Sequence, residues 1–212
     1  MRAATLAVSA IAAALPAHAV TCAEEIAALF DGGTLDPFAR PAHRQTRESF
    51  AADGTLIATY EAVIESPLEM VSGVKGQGRY LLLVDREGFM GPSMDGPWTA
   101  AGMTVTEDME AAQRAVAPSQ AANLTETECL GEVDVDGRPA IAYRFVTRVD
   151  PHPARGDSWW GSRDTVHLDP ETRQVFRWEQ TEQVSSWAEG TSDEVHVTHI
   201  EYDETIDLVR PE

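Results

Sequence analysis

The chain has 212 residues, 35 of them acidic and 16 basic, for a formal charge of −19 at pH 7. Nucleic acid and anionic membrane surfaces both repel so acidic a protein, which sets them aside as partners. A chain of this length, 43% hydrophobic, can bury roughly 70% of its unfolded surface in one core.

Residues 1–19 read as a secretory signal peptide. Met1-Arg2 supplies the positive start, residues 6–15 the apolar run and Ala17-His18-Ala19 the cleavage signal. The run is shorter than the ~20 apolar residues a membrane helix needs, and no later segment is long and apolar enough. Cleavage after Ala19 predicts a periplasmic or secreted protein of 193 residues (212 less 19), a single domain over 20–212, one unit more acidic because Arg2 leaves. Its two cysteines are Cys22 and Cys129. An oxidising compartment favours a bridge between them, tying an N-terminal helix to a mid-chain strand. The alternatives are a lipidated Cys22 and a catalytic or metal-binding thiol. Thr21 and Ala19 stand where a lipobox takes a small residue and a leucine, and there is no CxxC.

Thr21-Cys22-Ala23-Glu24 matches a capping box, and Ile26, Leu29 and Phe30 give the following helix an apolar face that runs to Gly32-Gly33. Residues 34–43, with two prolines, read as irregular. Strands are expected over 44–50 and 56–65, joined by the hairpin signal Asp53-Gly54 and ended by Pro67. Residues 68–71 and 79–85 read as two more. Tyr80-Leu81-Leu82-Leu83-Val84 is apolar on both faces, so helix or loop should cover its far side. Residues 87–102, rich in Gly, Pro and Met, read as a loop. A second capping box at Thr104–Glu107 then opens a helix carrying Val105, Met109, Ala112 and Val116, which Pro118 should end.

The second half reads as strand and turn. Strands over 125–134 and 139–149 flank Asp136-Gly137, with Ile141, Tyr143, Phe145 and Val149 on one face. A polar loop, 150–157, leads to Trp159-Trp160. Residues 163–184 form a hairpin about Asp169-Pro170-Glu171-Thr172, with Val166 and Leu168 before the turn and Phe176 and Trp178 after it on the buried face. A turn at 190–193, a strand over 194–202 and a short run at 206–209 finish the chain. Nine or ten sequential strands and two helices make an α+β protein with a strongly bent antiparallel sheet, not a βαβ series.

Chemical motifs are sparse. His196 and His199, three apart on a strand, point to opposite faces, and His43, His152 and His167 are dispersed, so no metal site is expected. Asp134-Val135-Asp136-Gly137 begins like a calcium loop, but Tyr143 stands where its final glutamate belongs; a hairpin turn is the better reading. GxSxG, HExxH, P-loop and GxGxxG fingerprints are missing, so neither an enzyme nor a cofactor is expected.

This layout resembles the periplasmic lipoprotein carrier (LolA/LolB-like) superfamily. The similar features are the exported chain, the first helix, the loop and helix inserted at 91–117 and the DPET turn at 169–172. It is also similar to small exported bacterial proteins of unknown role that share the helix, an Arg44-Gln45-Thr46 strand and a mid-chain cysteine at Cys129. The resemblance implies an incomplete β-barrel that holds acyl chains between a curved sheet and lid helices, and it maps no functional residue onto this chain. The expected function is therefore an exported carrier of a lipid-like or other apolar ligand. Its candidate contacts are Tyr60, Leu82, Met90, Trp98, Met109, Tyr143, Phe145, Trp159, Phe176 and Trp178. The alternative is an interaction module of an envelope complex, with a filled core, no ligand and a protein partner.

Overall fold

The structure is a computed structural model that describes residues 20–211; the signal peptide expected over 1–19 lies outside the described residues. Helix α1 (Cys22–Phe30) starts at the expected capping box, in which Thr21 and Glu24 each bond the other's backbone N–H. Strands β1 (His43–Phe50), β2 (Leu56–Ser66), β3 (Glu69–Val74), β4 (Tyr80–Val84), β5 (Glu87–Gly91) and β6 (Thr99–Thr104) follow as an antiparallel meander. Helices α2 (Glu107–Arg114) and α3 (Val116–Ala122) come next. Strands β7 (Thr125–Val135), β8 (Arg138–Val149), β9 (Trp160–Leu168), β10 (Val175–Ser185), β11 (Ala188–Ser192) and β12 (Val195–Tyr202) complete the sheet. The spatial order is β6-β5-β4-β3-β2-β1-β12-β10-β9-β8-β7, with β11 on the end of β10. The last strand thus returns to the middle and joins two meanders into one open sheet.

Residues 87–102, expected as a loop, contain two strands. Only the stretch from Pro92 to Pro97 turns. The glycines and alanines on either side lie in two strands, β6 at the sheet's edge and β5 between it and β4, whose small side chains carry little alternation for a sequence reading to detect. The second helix is capped at Thr106 and not at Thr104; the Thr106 hydroxyl accepts the Met109 N–H. Pro118 does not end it. It lies in the first turn of α3, where a missing N–H costs no helical bond. Residues 206–209 form no strand; the Leu208 N–H donates to Glu65 at 2.9 Å and its side chain packs on the sheet.

The Cys22–Cys129 disulfide is formed, with Cα atoms 5.6 Å apart, and links the first turn of α1 to β7. The Asp134–Gly137 run is the β7–β8 turn, closed by the Gly137 N–H on Asp134 Oδ1 at 2.8 Å. In the DPET turn, Asp169 Oδ1 accepts the Glu171 and Thr172 N–H groups, each at 3.0 Å. The Thr172 bond, with help from Arg138, holds the Asp169 carboxyl down at about 2.

The core has two parts on opposite faces. Ile26, Phe30, Leu35 and Ala117 pack on Tyr143, Phe145, Val166, Leu168, Val175 and Ile200, so α1 and α3 cover one face of the β8–β12 half. On the other half, Val71, Tyr80, Leu82, Val84 and Phe89 face the opposite way, under Met94, Trp98 and Leu208. The far side of β4 is therefore covered by loop and tail, as its two-sided apolar sequence requires.

Candidate functional site

Register fixes what the helix-bearing face presents. One rung across the sheet runs Val74, Tyr60, Arg47, Thr198, Trp178, Val166, Tyr143. The next runs Ser49, His196, Gln180, Asp164, Phe145. Both grade from apolar and buried under the helices to polar at mid-sheet, and the first becomes apolar again on the β2–β5 half. That half has a different fate: among the described residues, no helix packs extensively on β1–β6. A depression of ≈ 470 Å³ lies there, with Tyr60, Ala62, Met70, Val74, Leu81 and Met90 as its apolar lining and Gln45, Arg47, Ser72, Gln77, Arg79 and Glu61 as its polar one; the Glu61 carboxylate accepts the Tyr80 hydroxyl. Arg47 also lines a neighbouring depression of ≈ 790 Å³, whose other walls include Trp160, Trp187, Gln180, Gln183 and His196.

The expected contacts separate into four groups. Tyr60 and Met90 lie on the open half of the helix-bearing face. Tyr143 and Phe145 share that face but are 1% and 0% exposed under α1 and α3, with Trp178 at their edge. Leu82, Trp98 and Phe176 are on the opposite face. For Leu82 the reason is that β4 is apolar on both sides, so alternation could not choose; Leu81 and Leu83 take the helix-bearing side. Trp98 lies over Gly91 on the outer cluster, where an added Cβ would stand 2.7 Å from its ring. For Phe176 the reason is a β-bulge. Val175 pairs with Leu168 while Arg177 pairs with His167, so Val175 fills the buried slot and Phe176 turns out beneath Arg138 and beside His167. Met109 is 37% exposed on α2. Trp159 sits against Arg148, which points away from the helices. Neither reaches the depressions.

A polar group that sequence reading did not single out lies between the two halves. Asp164 is fully buried and accepts hydrogen bonds from Trp178 Nε1 (2.6 Å), Ser162 Oγ (2.9 Å) and Gln180 Nε2 (3.1 Å). Burial pushes its carboxyl up to about 6, against the pull of those three donors. An alternation of Ser162, Asp164 and Val166 on one face of a strand was the available signal, since a carboxylate between buried positions needs donors. Because its folded pKa lies above the unfolded value, the native state keeps a proton that the unfolded chain has released. This group's contribution to stability is thus fully present only below its unfolded value of 3.8, and is lost as pH rises through about 6. The change is roughly 3 kcal/mol. Asp164→Asn, which can accept from Trp178 and donate to Ser162, should remove that slope from urea unfolding measured between pH 4 and 7.5. An unchanged slope would refute the assignment.

Arg47 has a distinct position. Its guanidinium carbon stands 4.4 Å from the Tyr60 ring centroid, and its Nε is buried without a hydrogen-bond partner. Gln183 Nε2, on the wall of the larger depression, is likewise buried and unpartnered. Among the described residues, neither Arg47 nor Arg79 forms an ion pair, although most other arginines do. No helix of the described residues is long and apolar enough to cross a membrane.

No family model matches the chain, and no curated protein matches it in sequence. Solved structures do resemble it. Lipoprotein LppX of Mycobacterium tuberculosis aligns at a TM-score of 0.50 and 11% identity, over 89% of this chain and 98% of LppX. LprF of Mycobacterium bovis aligns at 0.45 and 7%, over 88% and 97%. A LolA-superfamily protein of Nitrosomonas europaea aligns at 0.33 and 10%, over 86% and 94%. At these identities the LppX likeness is one of fold. With its open antiparallel sheet, N-terminal helix and mid-chain helices, the chain has a fold similar to that of LppX.

Proposed function

We propose that this protein is an exported binding or carrier protein for an apolar, lipid-like ligand. The site is the open half of the helix-bearing face rather than the space beneath α1 and α3. The observation that carries this reading is the depression lined by Tyr60, Ala62, Met70, Val74, Leu81 and Met90, on a face that the chain's helices cover only at the other half. Tyr60 is 38% exposed at its rim. Removing about twelve methylenes from water there is worth ~10 kcal/mol before ordering costs, enough for binding without a cofactor. Methionines at 70 and 90 suit an apolar surface that adapts to its occupant. The leader at 1–19 and the disulfide support a periplasmic place of work.

The test uses N-phenyl-1-naphthylamine, a neutral reporter that brightens in apolar surroundings. The wild-type protein should bind it. Leu81 and Met90 are cross-strand neighbours on the depression's floor. Leu81→Gln with Met90→Gln should weaken binding about ten-fold, with an unchanged far-ultraviolet circular dichroism spectrum. A wild-type protein that leaves the reporter dark would exclude the reading.

A further inference from the structure

We propose that Arg47, with Gln183 and His196 beside it, forms a head-group subsite, so that the ligand is a single-chain anionic amphiphile. The inference rests on the apolar site proposed above and adds the chemistry of the ligand's polar end. Arg47 stands at the boundary of the two depressions and lines both. On one side lie the apolar residues Met70, Leu81 and Met90; on the other lie Gln180, Gln183 and His196 with the Trp160 and Trp187 rings. A chain on the first side and a head on the second would meet at this guanidinium.

The charge pattern selects the sign of the head. In a protein with 35 acidic side chains, an arginine at mid-sheet without an ion pair is a cation that its own fold does not neutralise. Its ring contact with Tyr60 occupies one face of the guanidinium and leaves the Nε–H, buried, without an acceptor. Gln183 Nε2 is a second such donor on the adjoining wall. Buried donors without partners are costly, and an acceptor-only group satisfies them. A carboxylate or phosphate monoester is such a group and brings the charge that Arg47 lacks. The carboxylates on this wall are Glu189, which is exposed, and Glu194, which is engaged with His196 at 3.3 Å. The second arginine of the depression, Arg79, lies in the turn just before β4 and is also without an ion pair.

Displacement of N-phenyl-1-naphthylamine by three probes of matched chain length tests this: palmitate, 1-palmitoyl lysophosphatidate and the neutral hexadecanol. At least one anion should displace the reporter about ten-fold more tightly than hexadecanol, and Arg47→Gln should erase that preference while leaving hexadecanol within about two-fold. Whichever anion wins assigns the head as carboxylate or phosphate. Arg44→Gln, a change to an exposed arginine on the opposite face that is paired with Asp203, should preserve the preference, which separates a local contact from net charge. Equal displacement by all three probes, or a preference that survives Arg47→Gln, would overturn the head-group subsite and leave the apolar site standing. Failure of every probe to displace the reporter, or of the protein to bind it, would overturn both.

Discussion

Phe145→Ala should destabilise the protein by about 3–5 kcal/mol. Phe145 is fully buried and meets the Phe30 ring edge-on, with centroids 5.6 Å apart. Ile26, Tyr143 and Val166 belong to the same cluster, and all are 1% exposed or less. Truncation would leave a cavity that α1 cannot close, because its first turn is held by the disulfide. Equilibrium unfolding in urea measures the cost. Met90→Ala, on the open half, should cost less than about 1 kcal/mol, since its side chain is only partly buried and no helix packs extensively on its strand. Similar costs at the two positions would mean that the helix-covered half is as loosely filled as the open one, and would return the ligand site to the space under the helices.

Removing the bridge has a comparable effect by another route. Cys22→Ser with Cys129→Ser should cost about 4–5 kcal/mol. The two cysteines are 107 residues apart in sequence, so the bond removes a large amount of conformational freedom from the unfolded chain. It also fixes the start of α1 against β7, and with it Ile26 and Phe30 over the sheet. Below α1 the Tyr143 hydroxyl donates to Glu25 and accepts from Arg173 at 2.7 Å, a polar clasp that needs the same docking. The measurement is the denaturation midpoint of the double variant beside that of wild type. A loss under 1 kcal/mol would show that the helix holds its place without the bond.

Much of this structure could be read from residues alone. The capping box at Thr21, the Asp-Gly and DPET turns, the long strands of the second half and the two-sided β4 all carry local chemistry that states their conformation, whereas β11 was expected as a turn and residues 206–209 as a strand. The Cys22–Cys129 pairing followed from there being two cysteines in a chain whose first residues read as an export signal. The binding surface was less legible. Tyr60 and Met90 were found, but with Leu82, Trp98 and Phe176, which face the other way. Alternation says which residues share a face only until a bulge intervenes, and one extra residue at Phe176 exchanges the faces of a strand. Arg47 and Asp164 escaped notice because a lone charged residue in a strand looks the same whether solvent or a core lies above it.

The sequence by itself determined the class of the fold, the Asp-Gly and DPET turns, the first helix cap and the disulfide, because each depends on residues close in the chain or on a choice of one pair; the turn expected at 190–193 instead falls at 186–187, and β11 runs through Ser192. Only the tertiary structure decided that β12 returns to the centre, that α1 and α3 fill one half of their face, and that the other half stays open beside an arginine without an ion pair. Those outcomes depend on strands far apart in sequence choosing neighbours, and on which apolar surfaces two short helices can reach. No local pattern of residues encodes either.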